Sequence, residues 1–293
     1  MNVLSLFDGI SCGKLALDKA GVTYDNYFSS EIDQFALQIS SKNHTDIQQI
    51  GDVLNIQAEY LPQIDLLMGG SPCQGFSMAG KRLAFDDPRS ALFFEFVKIM
   101  KITKPRFFLL ENVRMKKEWL DIITEHMKVQ PLLINSNAVA PQNRQRYYWT
   151  NIPNVGHPPM TSTQVLKDIL EDNPPDNYNP GAALLAKHNG GDYLNPEYQG
   201  QANKIHNIEQ KAPTICAGAK GYNYGFIKQN GRIRRLTPLE FERLQTLPDN
   251  YTEGVSDTQR YKACGNGWTV DVIAHIFKNL KLVQDYDARK NNS

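Results

Sequence analysis

Over the first half of the chain, short apolar runs rich in β-branched and aromatic residues alternate with longer stretches whose apolar residues recur at i, i+3 or i+4. The runs predict strands over 2–7, 26–29, 46–50, 65–68, 107–110, 132–137 and 146–149. The helical spacing predicts helices over 13–20, 35–42, 89–102 and 116–127. Strands alternating with helices build a mostly parallel sheet with helices on its faces, so residues 1–152 are expected to form an α/β, Rossmann-like, doubly wound domain. Proline, asparagine and glycine then accumulate between 153 and 233, as in His157-Pro158-Pro159, Asn173-Pro174-Pro175 and Asn189-Gly190-Gly191. Such punctuation predicts a smaller, loop-rich lobe with short strands near 214–217 and 225–228. Thr237, Pro238 and Glu240 carry an N-cap, a proline at the first helical position and a capping-box acid. They open a return segment, 234–283, whose final helix over 269–280 is expected to pack on the first domain, leaving 284–293 as a frayed tail.

A length of 293 residues with 41% hydrophobic content supports a full α/β core and a second lobe. The net charge of +1 provides no global attraction to nucleic acid, so any such contact has to come from local clusters. These are Lys81, Arg82 and Arg89; Arg114, Lys116 and Lys117; Arg144 and Arg146; and Arg232, Arg234 and Arg235. The four cysteines, Cys12, Cys73, Cys216 and Cys264, show neither CxxC spacing nor paired histidines, which points away from a disulfide framework or a zinc site and toward a reducing, cytoplasmic setting. No metal is expected. No apolar stretch approaches the roughly 20 residues of a membrane span, and the chain enters its first strand without a basic leader.

The chemistry concentrates where predicted strands end. Cys73 lies in the turn GGSPCQGFS just past the run Leu66-Leu67-Met68, where an open α/β sheet presents its active groups. A thiol there is a candidate nucleophile, although a lone cysteine is equally at home as a small buried hydrophobe. Glu111, with Asn112 and Val113, follows the run 107–110 and offers a carboxylate at the same edge, suited to holding or protonating a ring nitrogen. Arg144 and Arg146 alternate into the strand after them and are expected on one face, able to hold an anion or a carbonyl oxygen. The first strand ends in Phe7-Asp8-Gly9-Ile10, and Glu31 follows at the end of the second, where dinucleotide folds keep a ribose-binding acid. The glycine pattern lacks the full GxGxxG needed for a pyrophosphate, which favours a cofactor with an adenosine and no phosphates. Asp52, after the third strand, suits an adenine amino group.

Taken in order, these blocks resemble the DNA cytosine-C5 methyltransferases across nearly the whole length: the FDG block from Phe7, Glu31, Asp52, Pro72-Cys73-Gln74, Glu111 to Val113, QNRQR at 142–146, RLTPLEFERLQ at 235–245, and Gly265-Asn266. The resemblance implies a class I S-adenosyl-L-methionine-dependent fold and a cytosine flipped out of double-stranded DNA. It implies Cys73 attacking C6, Glu111 at N3 and the exocyclic amine, and Arg146 with Arg144 at O2. Cofactor contacts carry over as Phe7, Asp8, Gly9, Ile10, Glu31, Ile32, Asp52, Val53, Leu92, Asn266 and Trp268, with S-adenosyl-L-homocysteine as product. A mobile loop over 75–89 would bring Gln74, Ser77, Lys81, Arg82 and Arg89 to the DNA. The lobe over 153–233 would supply target recognition through Gly218, Lys220 and Tyr222, with Arg232 and Arg234 adding basic contacts. Ile10-Ser11-Cys12-Gly13 and Gly267-Trp268 depart from the common bacterial pattern and are closer to the animal de novo branch. The reading is a restriction-modification, phage or solitary methylase acting as a monomer. The alternatives are tRNA methylation by the related RNA-acting branch and a catalytically silent DNA-binding accessory, which would have lost Cys73, Glu111 or the arginines.

Overall fold

The computed structural model describes residues 1–71, 88–217 and 224–291, with the side chains of 88–90 and 291 left aside. A seven-stranded sheet is formed by β1 (Asn2–Leu6), β2 (Asn26–Ser30), β3 (Ile47–Gln49), β4 (Leu66–Gly69), β5 (Phe107–Val113), β6 (Leu132–Asn135) and β7 (Gln145–Thr150). Its spatial order is β3-β2-β1-β4-β5-β7-β6. The pairs β1–β2, β2–β3, β1–β4 and β4–β5 are parallel, and β7 runs antiparallel to β5. The expected α/β, mostly parallel, doubly wound sheet is therefore present, with one reversed strand. Strand order turns back between β1 and β4, and in open α/β sheets ligands bind beyond the carboxyl ends of the strands at such a switch.

Strands buried on both faces read as near-continuous apolar runs, and β1 and β4 do so because Val3, Leu4, Leu6, Leu66, Leu67 and Met68 are all fully buried. Leu4, Leu6, Leu67, Phe108 and Leu110 share one cluster with Phe93, Phe96 and Val97 of α3 (Pro88–Thr103) and with Trp119, Ile123 and Met127 of α4 (Lys117–Met127). Helix α1 (Cys12–Ala20) starts directly from the loop after β1, and α2 (Gln34–Asn43) is capped by Asp33, whose carboxylate accepts from the N–H groups of Phe35 and Ala36.

Two compact units emerge: one of residues 1–134, 145–158 and 272–293, the other of 135–144 and 159–271. These seams differ from the blocks expected at 1–152, 153–233 and 234–283, because most of the return segment belongs to the second unit. That unit holds a three-stranded sheet, ordered β10-β9-β8, from β8 (Ile205–His206), β9 (Phe226–Gln229) and β10 (Arg232–Arg234). It also contains a short α5 (Ala182–Leu185), α6 (Pro238–Leu244) and α7 (Asp257–Asn266). The expected capping box of α6 is formed: Thr237 Oγ1 accepts from Glu240 N–H at 3.2 Å, and Glu240 Oε2 accepts from Thr237 N–H at 2.7 Å.

Three expectations need correction. The stretch 214–217 is not a strand but an extended strap held by side chains. Helix α7 was not anticipated. The last helix, α8 (Val270–Asn291), runs through the supposed tail. It is fastened there by long-range bonds: Gln284 Nε2 donates to Thr23 O at 2.7 Å, its Oε1 accepts from Thr23 N–H at 3.1 Å, and Arg106 pairs with Asp287 at 2.6 Å.

Candidate active site

The carboxyl edge of the sheet is assembled by register. Leu6 of β1 sits opposite Ser30 of β2 on one side and Gly69 of β4 on the other, and Gly69 in turn faces Leu110 of β5. The residues just beyond this line are Phe7 and Asp8, Glu31, Gly70 and Ser71, and Glu111. The sheet thus collects at one edge the groups that the sequence distributes over a hundred positions.

Glu111 lies opposite Tyr148, and Arg146 opposite Val113, in the antiparallel ladder. Side chains of directly opposed residues and their i±2 neighbours project from the same face, so Arg146 reaches Glu111 diagonally. The Arg146 Nε stands 3.0 Å from Glu111 Oε1, and both side chains are largely buried, at 14% and 11% exposure. Asn112, the next residue along β5, donates from Nδ2 to Ser71 O and Ser71 Oγ at 3.4 and 3.3 Å, and both residues are buried. It thereby ties the end of β5 to the residue that leads into Pro72-Cys73. Sequence reasoning gave Asn112 no role; its only signal was its place in the Glu-Asn-Val block.

Arg144 precedes the strand. The strand begins at Gln145, so the alternation expected to carry both arginines to one face does not extend to 144. Its guanidinium donates instead to the carbonyls of Ile215, Gly265 and Gly267, all within the second unit.

The loop after β1 alternates into left-handed conformation at Phe7 (φ 56), Gly9 (φ 60) and Ser11 (φ 60). Left-handed backbone is costly for residues other than glycine and is retained where the surroundings enforce it. Here the enforcing group is Asp8, whose carboxylate accepts from Ser11 Oγ (2.6 Å), Tyr27 Oη (2.7 Å) and Ser29 Oγ (3.0 Å). Burial pushes the Asp8 carboxyl above its ordinary range, against the lowering effect of these hydroxyls. The Asp8 side chain is thus engaged by these hydroxyls. Ile10 and Val53 are likewise core residues, and Leu92 and Phe7 pack against the core, half-buried.

Glu31 is better placed. Its Oε2 accepts from Gly9 N–H at 2.8 Å, and its Oε1 accepts from the N–H groups of Ile32 and Asp33 at 2.7 and 2.8 Å, which fixes the carboxylate at the mouth of the loop. Ile32 beside it is 71% exposed, and half-buried Asp52 caps the next turn by accepting from Leu54 N–H at 3.0 Å. A carboxylate for a ribose diol, an exposed apolar side chain for a purine face, and a second carboxylate for an exocyclic amine fit an adenosine. In the second unit, Asn266 is exposed and Trp268 half-buried.

The remaining site expectations divide. Cys73, Gln74, Ser77, Lys81, Arg82, Gly218, Lys220 and Tyr222 lie outside the described residues, as does the side chain of Arg89. Arg234 and Arg232, expected as basic contacts to DNA, have partners within the second unit. Arg234 is 1% exposed and grips both oxygens of Glu240, at 2.8 and 2.6 Å, while also donating to Gln229. Arg232 is occupied by Asn179, Asp176 and the carbonyls of Pro174 and Pro175. The basic run 232–235 staples the 174–179 loop to β10. Among the described residues, no group of three or more His, Cys, Asp or Glu is placed to hold a metal, and no helix is long and apolar enough to cross a membrane.

A family model of C-5 cytosine-specific DNA methylases matches residues 1–282. The chain belongs to the C-5 cytosine-specific DNA methylase family. It is an enzyme of the DNA (cytosine-5-)-methyltransferase type. It is 32% identical over 300 residues to the type II methyltransferase M.NlaX of Neisseria lactamica, covering 95% of this chain and 96% of the relative. It is 34% identical to the type II methyltransferase M1.ScrFI of Lactococcus lactis subsp. cremoris, covering 95% and 77%. Among solved structures, the Schizosaccharomyces pombe Dnmt2 methyltransferase superposes with a TM-score of 0.77 at 19% identity, over 97% of this chain and 99% of that one. That likeness shows the shared fold of the C5 methylase.

Proposed function

We propose that the protein methylates C5 of a cytosine flipped out of double-stranded DNA, using S-adenosyl-L-methionine and a transient Cys73–C6 bond, as a cytoplasmic monomer. The observation that carries the reading is the Glu111–Arg146 pair, a carboxylate and a guanidinium fixed side by side at the sheet edge next to the chain that leads to Cys73. C5 of cytosine is too weakly nucleophilic to take a methyl group unaided. Addition of the Cys73 thiolate to C6 uses up the C5=C6 double bond and leaves an enamine across C4 and C5, with electron density at C5. Glu111 holds N3 and the exocyclic amine, stabilising that addition, and Arg146 holds O2. Asn112 positions the lead-in to the thiol through Ser71.

Glu31 would hold the ribose of the cofactor, Ile32 and Asp52 its adenine, the backbone of Gly9 and its neighbours its near side, and Asn266 with Trp268 its methionine end. When bound, S-adenosyl-L-methionine supplies an electrophilic sulfonium methyl and leaves as S-adenosyl-L-homocysteine. Loss of the C5 proton to a base then expels Cys73 and restores the aromatic ring. A base stacked in a duplex is out of reach of a site at a sheet edge, so the cytosine has to leave the stack.

The test is transfer of radiolabelled methyl to duplex DNA and to tRNA at matched salt, followed by a duplex carrying 5-fluorocytosine at the methylated position. Fluorine does not leave as a proton does, so an adduct stable to denaturing electrophoresis is expected with wild type and none with Cys73→Ala. Preferential labelling of tRNA, or turnover on DNA with no adduct, overturns the reading.

A further inference from the structure

Arg144 is 5% exposed, and its guanidinium faces backbone rather than an open site. Its Nη1 donates to Ile215 O at 2.9 Å, and its Nη2 donates to Gly265 O at 3.1 Å and Gly267 O at 3.0 Å. The first carbonyl lies on the extended strap that leads through Ala217 into 218; the other two flank Asn266 at the end of α7. Gln142 reinforces the same pair of elements. Its Oε1 accepts from Ile215 N–H at 2.9 Å, and its Nε2 donates to Leu244 O at 3.0 Å. Gln245 donates to Cys264 O at 2.7 Å and Gly267 O at 3.1 Å, and accepts from Thr269 Oγ1 at 2.7 Å.

A second, independent observation shows that strap and helix touch. A Cβ at Gly265 would stand 2.3 Å from Ala217 N and 2.4 Å from the Cys216 carbonyl carbon, so only glycine allows the strap to lie on α7. Backbone contact and polar clamp together make the strap and the Gly265–Gly267 turn one piece. The strap delivers the chain to the segment expected to read DNA, and the turn presents exposed Asn266, expected at the methionine end of the cofactor.

We infer that Arg144 is a positioning residue, not a contact to the cytosine ring, and that it sets target selection and cofactor binding together by clamping the recognition strap to the Asn266 turn. The inference rests on the function proposed above. A planar guanidinium with forked donors spans carbonyls on two elements; the ammonium of lysine does not replace that geometry.

The experiment uses the full chain with Arg144→Met, Arg144→Lys and Gly265→Ala. It reads kcat and KM for a duplex carrying a methylated site mapped by bisulfite sequencing, the Kd of S-adenosyl-L-homocysteine, duplex binding by anisotropy, and the spread of methylation to other cytosines. Loss of two or three hydrogen bonds from a charged donor leads to the expectation that KM for DNA and Kd for S-adenosyl-L-homocysteine rise together in Arg144→Met, each by about tenfold or more. In that variant kcat should change by less than about threefold on the same reasoning, with methylation spreading to non-cognate sites. Gly265→Ala should reproduce the pattern and Arg144→Lys should fall between. If Arg144→Met does not fold, the other two variants decide the same split. A kcat loss with both affinities unchanged would mean that Arg144 touches the base, and a change in one affinity alone would mean that strap and turn are not coupled; either overturns the inference. A wild type that methylates no cytosine at C5 refutes the proposed function instead, and the anisotropy and S-adenosyl-L-homocysteine titrations of the three variants still decide the clamp.

Discussion

The two units of the protein hold themselves together by different means. In the first, the interior around β1, β4 and β5 is apolar, built from Leu4, Leu6, Leu67, Phe93, Phe96, Leu110 and Trp149, and polar groups collect at the sheet edge. In the second, buried apolar residues such as Ile215, Phe226, Leu236, Phe241, Leu244 and Tyr261 are interleaved with fully buried Arg234, Glu240, Glu242 and Gln245. Apolar burial is non-directional and tolerates exchange, whereas a buried polar network depends on every partner. The same residue type therefore takes opposite roles two positions apart. Arg146 on the sheet edge pairs with a site carboxylate, and Arg144 braces backbone.

The sharpest test of that contrast is a pair of substitutions. Arg234→Met should lose about 3–5 kcal/mol in urea unfolding, because Glu240 is left buried with its charge unmatched. Leu67→Met, of similar volume and in the apolar unit, should lose less than about 1.5 kcal/mol. Equal losses would erase the distinction between the two interiors. Next in size, Glu111→Gln should lower kcat about 100- to 1000-fold while leaving the urea midpoint nearly unchanged, since the edge serves chemistry more than folding. A stability loss matching that of Arg234→Met would move Glu111 into the structural class.

Ending the chain after residue 283 removes the Gln284 bonds to Thr23 and the Arg106–Asp287 pair. It should cost about 1–2 kcal/mol, read as a drop of a few degrees in the melting temperature. An unchanged melting temperature would restore the frayed tail. The smallest effect concerns Asp8. Because its carboxyl is raised above 3.8 in the folded protein, its contribution is fully present below pH 3.8 and is lost as pH rises through the raised value. Asp8→Asn should flatten the fall in stability across that window, as measured by urea midpoints at stepped pH. A steeper fall would place the charged form, not the neutral one, as the stabilised state.

What the sequence reveals follows the same division. The strands of the first sheet are legible because burial on both faces leaves short apolar runs, and the carboxyl-edge position of Glu31 and Glu111 follows from where those runs stop. The capping box of α6 is legible because its signal is local. Helix α7 is not, since its buried positions reduce to Tyr261, Cys264 and Gly265 and Ser256 makes no side-chain cap. The extension of α8 depends on partners some 180 and 260 residues away, which periodicity does not register. The basic run 232–235 misleads for a related reason: charge in a sequence looks exposed, and only the fold shows Glu240, Asn179 and Asp176 waiting for it.

The fastening of α8 to the turn at Thr23 also has a consequence for synthesis. The first unit is discontinuous, and its last segment, 272–293, is made only after the whole of the second unit has been translated. At translation rates of about 5–20 residues per second, the 113 residues of 159–271 separate the two events by several seconds or more. During that interval, Thr23 and Arg106 lack the native partners that Gln284 and Asp287 later supply. Slowing translation within 159–271 should therefore raise the fraction of nascent chains captured by chaperones, and codon choice in the second unit becomes a determinant of how much active methylase a cell obtains.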